Sequence, residues 1–199
     1  MALGNTKETY GCVARGIHWL VVLLLIGSFT LAWSDVIGIH KYVGVTILAL
    51  GALRIVWTVT QPVVGALGNL PRWQHIAAKA VHGLLMLWLV AMPLTGWTMS
   101  SAAGRPVSFW GWFTLPPLVA PDRPFAHRMA EVHETLAWIG LALIAVHVAA
   151  ALWHHVVVKD DTLRRMLPCW ATGGGACIGR KAPEADKAGC DKPGCGCGH

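Results

Sequence analysis

The chain has few charged residues for its length. Only 13% of its 199 residues are charged and 55% are hydrophobic, whereas a soluble domain carries about 25% charged residues. The charge lies mostly at the chain ends and in one connection, and long stretches have almost none. This shortage argues against an ordinary soluble domain and predicts a small polytopic membrane protein. The net charge of +6 does not indicate a nucleic-acid partner, because the basic residues flank apolar spans.

Four stretches are long and apolar enough for helices that cross a membrane, each of which needs about 20 residues. We therefore predict an all-α fold, an integral membrane antiparallel four-helix bundle over residues 15–167. No small-residue cleavage site follows the first apolar run, so it is predicted to be a retained helix after a leader at 1–14. The predicted helices cover residues 15–33, 39–60, 75–99 and 128–158.

The basic residues predict the orientation of the chain in its membrane. Most of them flank the same ends of the predicted helices, and the positive-inside rule puts those ends and both termini in the cytoplasm. Three arginines in the connection between the third and fourth helices oppose this orientation. That connection is rich in Pro, Gly and Trp, so we predict an interfacial loop on the outer surface. The two groups are Lys7, Arg15, Arg72, Lys79, Lys159, Arg164 and Arg165 inside, and Arg105, Arg123 and Arg128 outside.

The chain has no C-x-x-C-H motif, so covalent c-type haem attachment is not expected. Its predicted spans nevertheless contain several histidines, and metal-binding residues at membrane depth are usually functional. A histidine that is hydrogen-bonded between helices is the alternative for any one of them. His133 and His147 lie 14 residues apart, which puts them within ~40° on one helix face and about 21 Å apart in depth. Gly140 lies midway between them, where it would let a bulky flat group approach the backbone.

Depth in the membrane assigns a partner to each of these two histidines. His18 is level with His147 near the inner surface, and His40 is level with His133 near the outer surface. Each pair would hold a six-coordinate haem iron between two imidazoles, a closed site suited to electron transfer. A zinc or copper site needs three or four ligands at one point, which the separation in depth disfavours. The spacing therefore predicts two b-type haems.

Five segments of the chain resemble the bacterial four-helix cytochrome b561 proteins, which lie in the inner membrane. They occur in the same order as in the family and cover roughly residues 10–168. The most specific feature is HETL followed by a second histidine 14 residues after the first. The resemblance implies a di-haem bundle with His18, His40, His133 and His147 as ligands. The family is also similar to the haem-bearing membrane subunits of formate dehydrogenases and hydrogenases. The segments are RGIHWLVVLLL, IHKYVGVTILALGALRIVW, VHGLLMLWLVAMPLTGW, HETLAWIGLALIAVHVAAALWHH and KDDTLRRMLP.

Some members of this family act as superoxide oxidases, and the resemblance implies the same activity here. Such a protein takes electrons from superoxide at the periplasmic face and delivers them to ubiquinone near the cytoplasmic face. The first hypothesis is therefore a superoxide:quinone oxidoreductase whose partners are membrane lipid, quinone and superoxide or a redox donor protein. The second is a non-catalytic haem b relay subunit, docked to a separate dehydrogenase or hydrogenase.

Four residues near the inner surface are candidates for further contacts. Arg54 follows His40 by 14 residues and has no acidic neighbour on its helix, so a haem propionate is its candidate partner, with snorkelling to lipid headgroups as the alternative. His82, His154 and Lys79 are candidates for a quinone site. His154 continues the stripe of His147 and could pass protons to a reduced quinone, although an ordinary interfacial histidine fits equally well.

Two further groups of residues suggest a function less strongly: a set of cations at the outer face and a set of possible metal ligands in the tail. At the outer face Lys41, Arg105, Arg123 and Arg128 could attract a small anion, but an ordinary charged loop is the simpler interpretation. Residues 168–199 depart from the family's short basic ending and are predicted to be a disordered cytoplasmic tail. The tail offers soft ligands for zinc or copper(I), which suggests a third hypothesis, a metal-handling membrane protein. These ligands are Cys190, Cys195, Cys197 and His199.

Overall fold

The computed structural model describes residues 3–6, 9–65 and 71–168. Its four long helices are all long and apolar enough to cross a membrane. The predicted four-helix membrane bundle is therefore confirmed. The helices are α1, Cys12–Trp33; α2, Ile37–Thr60; α3, Arg72–Ala102; and α4, Arg123–Trp153.

The start of α4 lies five residues before the predicted position. Asp122 caps the helix, because its Oδ1 accepts a hydrogen bond of 3.0 Å from the backbone N–H of Phe125. Pro124 follows in the first turn, where its missing N–H is harmless. Arg123 and Arg128, which the sequence analysis assigned to the outer loop, therefore lie on α4 itself.

The connection between α3 and α4 contains a small antiparallel hairpin that the sequence analysis did not predict. Its strands are β1, Val107–Phe109, and β2, Phe113–Leu115. Trp110 and Gly111 form the tip, both with positive φ. The Trp110 indole N–H donates a 3.0 Å hydrogen bond to Thr46 of α2, so the hairpin docks on the outer half of that helix.

The helices pack in chain order: α1 contacts α2, α2 contacts α3, and α3 contacts α4. The buried core is small and contains Val21, Val43, Ile47, Trp88 and Leu89. Many large apolar side chains are exposed along all four helices, as expected where lipid covers the outside of a bundle. Within the described ranges α4 packs extensively against α3 but not against α1 or α2. A gap therefore separates α4 from the first two helices.

A flat side chain does lie against Gly140, but it belongs to the protein. Gly140 is the one fully buried residue of α4, and a Cβ built on it would overlap the indole of Trp88. The indole N–H donates a 2.7 Å hydrogen bond to the carbonyl of Leu136, which fixes the ring in place. Gly140 is therefore needed for the packing of α3 on α4, and the indole takes the position that the sequence analysis reserved for an unspecified flat group.

Candidate functional site

The histidines of α4 each meet a histidine of another helix. The ring centres of His40 and His133 lie 6.3 Å apart with an interplanar angle of 88°. The ring centres of His18 and His147 also lie 6.3 Å apart, at 68°. Two imidazole nitrogens that bind one metal ion at about 2 Å each put their ring centres roughly 6 Å apart. Both pairs therefore have the spacing that a shared iron requires.

Hydrogen bonds fix the tautomer of both rings in the outer pair. His40 Nδ1 lies 2.9 Å from the carbonyl oxygen of Ser28, which can only accept, so Nδ1 carries the proton. His133 Nδ1 lies 2.9 Å from Thr95 Oγ1. The Thr95 hydroxyl gives its own proton to the Met92 carbonyl at 2.7 Å, so it accepts from His133. Each Nε2 consequently has a free lone pair, the state in which imidazole binds a metal.

Gly96 gives the His133 ring room to stand against α3. A Cβ on this glycine would lie 3.1 Å from Cε1 of the ring, a tight contact that would push the imidazole away. Sequence analysis missed Ser28, Thr95 and Gly96, because each acts on a ring that belongs to another helix. The only signal in the sequence is a pair of small residues, Thr95 and Gly96, in the outer half of α3.

Three histidines meet at the inner site. His82 lies closer to His147 than His18 does, with ring centres 5.1 Å apart at 83°. This distance is shorter than two imidazoles on one metal ion require, which favours His18 as the partner of His147. His82 Nδ1 donates a 2.7 Å hydrogen bond to the carbonyl of Ala78 in its own helix. His82 therefore stands beside the inner pair, and its Nε2 makes no hydrogen bond to any residue that the structure describes.

Arg54 lines a small cavity at the inner end of the bundle. The cavity, of about 50 Å³, also contacts Tyr10, Trp57 and Met166, and about 10–15 Å³ is enough for one water molecule. The buried Nε1 of Trp57 has no hydrogen-bond partner within the described residues, nor has the Arg54 guanidinium a carboxylate partner there. Arg54 is also close enough to His18 and His147 to interact electrostatically with both. An anionic group near the inner pair would suit these unpaired donors.

Two basic residues lie together at the outer site. Lys41 follows His40 directly and is within electrostatic range of Arg105. In the described part of the chain neither cation has a carboxylate within salt-bridge distance. The other two outer arginines lie on α4, where Arg128 stands over the ring of Phe125 at 5.7 Å. Two positive charges thus lie near each other, and one of them directly follows a histidine of the outer pair.

The remaining candidates are dispersed. His154 begins a π-helical turn after α4 and makes a 2.6 Å contact with Asp160. Lys79 is exposed on α3, and no hydrogen bond joins it to His82 or His154 within the described ranges. The tail ligands Cys190, Cys195, Cys197 and His199 lie outside the described residues, so the structure does not bear on that metal site.

The residues around each pair fit a planar iron porphyrin. The gap between α4 and the first two helices is bridged by the imidazole rings, whose spacing matches a shared metal ion. Gly44 lies one turn after His40, and a Cβ built there would find no atom within 4 Å, so open space adjoins the outer pair. The unpaired Arg54 would suit the carboxylate of a porphyrin near the inner pair.

Comparison with known proteins agrees with this geometry. Residues 9–169 match the family described as prokaryotic cytochrome b561. Cytochrome b561 homolog 2 of Escherichia coli K12 is 34% identical over 179 residues, 84% of this chain and 95% of that protein. A probable superoxide oxidase, CybB, of Yersinia pestis is 31% identical over 177 residues, 81% of this chain and 97% of that protein. The chain therefore belongs to the prokaryotic cytochrome b561 family, a family of haem b-binding membrane proteins that transfer electrons.

Proposed function

We propose that this protein is a superoxide:quinone oxidoreductase with two haems b. His40 and His133 would hold the outer haem, and His18 and His147 the inner one. Superoxide would be oxidised at the periplasmic face and ubiquinone reduced near the cytoplasmic face, with both termini in the cytoplasm. The observation that carries the proposal is the pair of equal ring separations, 6.3 Å at both sites, on one face of α4.

The outer face has the charge that an anionic substrate needs. Lys41 and Arg105 lie together beside His40 without a carboxylate partner in the described ranges. A cluster of unpaired cations raises the local concentration of a small anion and speeds its encounter with the protein. Superoxide carries one negative charge, so its approach to this face is favoured over that of a neutral reductant.

The inner face has groups that could receive a quinone and its protons. Arg54 is proposed to pair with a propionate of the inner haem, where the carboxylate would satisfy its guanidinium. His82, which stands beside His147, and His154 and Lys79 are proposed to border the quinone site. The relative from Yersinia pestis, named a probable superoxide oxidase, supports superoxide as the substrate at the opposite face.

The proposed reaction balances over two turnovers at the outer face. Two superoxide ions give up two electrons and leave as two molecules of oxygen. One ubiquinone takes up these two electrons and two protons from the cytoplasmic side and becomes ubiquinol. Haem iron held between two imidazoles supplies a one-electron relay without opening a coordination position. The protein's own task is to hold the rings, attract the anion and deliver the protons.

The test is stopped-flow absorbance of the haems in the purified full-length protein after a pulse of superoxide. We expect rapid haem reduction, followed by reoxidation only when ubiquinone is present. Lys41→Gln serves as a variant that should slow the first phase alone. Thr98→Val serves as its control, because the Thr98 hydroxyl only bonds the carbonyl of Leu94 in its own helix.

A different result would assign the other function. Haems that dithionite reduces but superoxide does not would refute the superoxide oxidase. The protein would then be a relay subunit that receives electrons from a separate dehydrogenase or hydrogenase, and copurification of such a partner would be the next measurement. A haem content of one per chain would instead refute the two-haem arrangement.

A further inference from the structure

The end of α4 has an unusual backbone. The α-helix passes at His154 into a π-helical turn, His154–Val158, and single π-turns are frequently found at functional sites. Lys159 then takes a left-handed conformation, φ 57° and ψ 38°, which residues with a side chain rarely adopt. The turn is closed by a 3.1 Å hydrogen bond from the backbone N–H of Asp160 to the carbonyl of His154. The chain is thereby directed back over its own helix.

This turn brings a carboxylate onto His154. Asp160 Oδ2 lies 2.6 Å from His154 Nδ1, and the two side chains are only 16% and 19% exposed. The other carboxylate oxygen accepts a 2.9 Å hydrogen bond from the backbone N–H of Thr162. Burial acts to raise the pKa of Asp160, but the hydrogen bonds from Thr162 and His154 outweigh it and hold that pKa below its usual value. The carboxylate is therefore ionised.

The protonation of the imidazole follows from this contact. An ionised carboxylate can only accept hydrogen bonds, so Nδ1 of His154 must carry a proton. Its Nε2 is then the nitrogen that is left to exchange a proton with another group. His154 lies seven residues beyond His147, two turns further along the same face and about 10 Å closer to the inner surface.

We propose that Asp160 is a positioning residue that orients His154 for proton delivery to the quinone. The proposal rests on the proposed function, since it assigns a proton donor to the quinone reduced there. Reduction of one quinone to quinol consumes two electrons, which bound haem would supply, and two protons, which come from the cytoplasmic water. His154 Nε2 passes these protons one at a time to the quinone oxygens and is reprotonated from water after each transfer. Asp160 keeps its own charge throughout and holds Nδ1–H in place.

The test compares two neighbouring carboxylates in the full-length protein. Asp160→Asn removes the charge but keeps the shape of the side chain. Asp161→Asn is the matched control, because Asp161 pairs at 3.5 Å with Arg164, which is 62% exposed. Haems reduced chemically are mixed with ubiquinone-1 or with ferricyanide, an oxidant that needs no proton. We expect Asp160→Asn to lower the limiting rate of haem reoxidation by quinone by about 100-fold. The quinone concentration that gives half of that rate and the ferricyanide rate should stay unchanged, and Asp161→Asn should change none of the three.

A second measurement reads the imidazole directly. In protein labelled with ¹⁵N-histidine, His154 is expected to be the Nδ1–H tautomer in the wild type and in Asp161→Asn, and to lose that preference in Asp160→Asn. His154→Gln should be as slow with quinone as Asp160→Asn, and the double variant no slower, because the two residues act as one unit. The haem spectrum of each variant reports whether the bundle has folded.

The outcomes separate this proposal from the proposed function. A wild type whose haems superoxide does not reduce refutes the superoxide oxidase but leaves the quinone assay intact. If the wild type reduces quinone and Asp160→Asn does so equally fast, the role of Asp160 is refuted alone. An equal loss of rate with ferricyanide would also refute it, since a general structural defect would then explain the change. A wild type that does not reduce quinone refutes both.

Discussion

The Thr95 hydroxyl offers the sharpest test of the proposed outer haem site. It accepts the Nδ1–H of His133 at 2.9 Å and donates its own proton to the carbonyl of Met92 at 2.7 Å. Thr95→Val replaces the hydroxyl by a methyl group of the same shape. The Nδ1–H of His133 would then have no acceptor, and its ring could rotate or change tautomer.

The cost can be estimated in two independent ways. A buried donor left without a partner costs about 1–3 kcal/mol. Loss of the partner that orients a metal-binding histidine lowers metal affinity by about 10- to 100-fold, or roughly 1.4–2.8 kcal/mol. The two ranges agree, so we expect Thr95→Val to weaken outer haem binding by one to two orders of magnitude.

The assay is haem transfer to apomyoglobin, followed by absorbance in a His147→Ala background that retains only the outer haem. Thr95→Ser keeps the hydroxyl and should bind haem nearly as tightly as the parent. Thr98→Val is the matched control, because its lost hydrogen bond goes only to the Leu94 carbonyl of the same helix. Equal haem affinity in Thr95→Val and Thr98→Val would refute the tautomer argument.

Three further outcomes follow from the same contacts. His147→Ala should lower the haem content from two per chain to one and spare the outer haem, as measured by pyridine haemochromogen; loss of neither would refute the pairing. Gly140→Ala should lower the free energy of unfolding by at least about 1–3 kcal/mol, because its Cβ would overlap Trp88. Adding Trp88→Leu to Gly140→Ala should partly restore the thermal stability measured in detergent. Combined Lys41→Gln and Arg105→Gln should lower the rate of haem reduction by superoxide and flatten its dependence on ionic strength; an unchanged salt dependence would contradict steering.

The spans and the depth pairing could be predicted because both follow from constants of the helix. A rise of 1.5 Å and a turn of 100° per residue fix where His133 and His147 lie relative to each other. Successive spans cross the membrane in opposite directions, which then fixes which ends of α1 and α2 are level with them. The prediction that His18 meets His147 and His40 meets His133 needs nothing else, and the structure brings the same rings together.

The partners of these rings could not be predicted, because α3 has no stripe of polar residues that would show which of its faces points into the bundle. A helix that faces both lipid and an apolar core is hydrophobic on all sides, so its pattern does not show which face points inward. Thr95 and Trp88 both lie on α3, and neither differs in type from neighbours that face lipid. The flat group at Gly140 could not be identified for the same reason, since the indole that fills the space comes from another helix.

The two histidine pairs also differ in how their rings are held. At the outer pair both Nδ1 atoms donate to fixed oxygens, the Ser28 carbonyl and the Thr95 hydroxyl. Within the described residues no hydrogen bond reaches the ring nitrogens of His18 or His147. An imidazole whose Nδ1–H is hydrogen-bonded is a stronger ligand through Nε2. Stronger ligands stabilise oxidised iron more than reduced iron, so this difference alone would lower the potential of an outer haem.

The charge of Arg54 adds to this difference, because it raises the potential of a haem at the inner site. It lies within electrostatic range of both His18 and His147, and a nearby positive charge favours the reduced, less positive state of an iron there. We therefore expect the outer haem to have the lower potential, so that electrons move inward downhill. A spectroelectrochemical titration checks this: Thr95→Val should raise the lower potential only, and Arg54→Gln should lower the higher one only. If both variants shift the same potential, the ordering derived from these contacts is wrong.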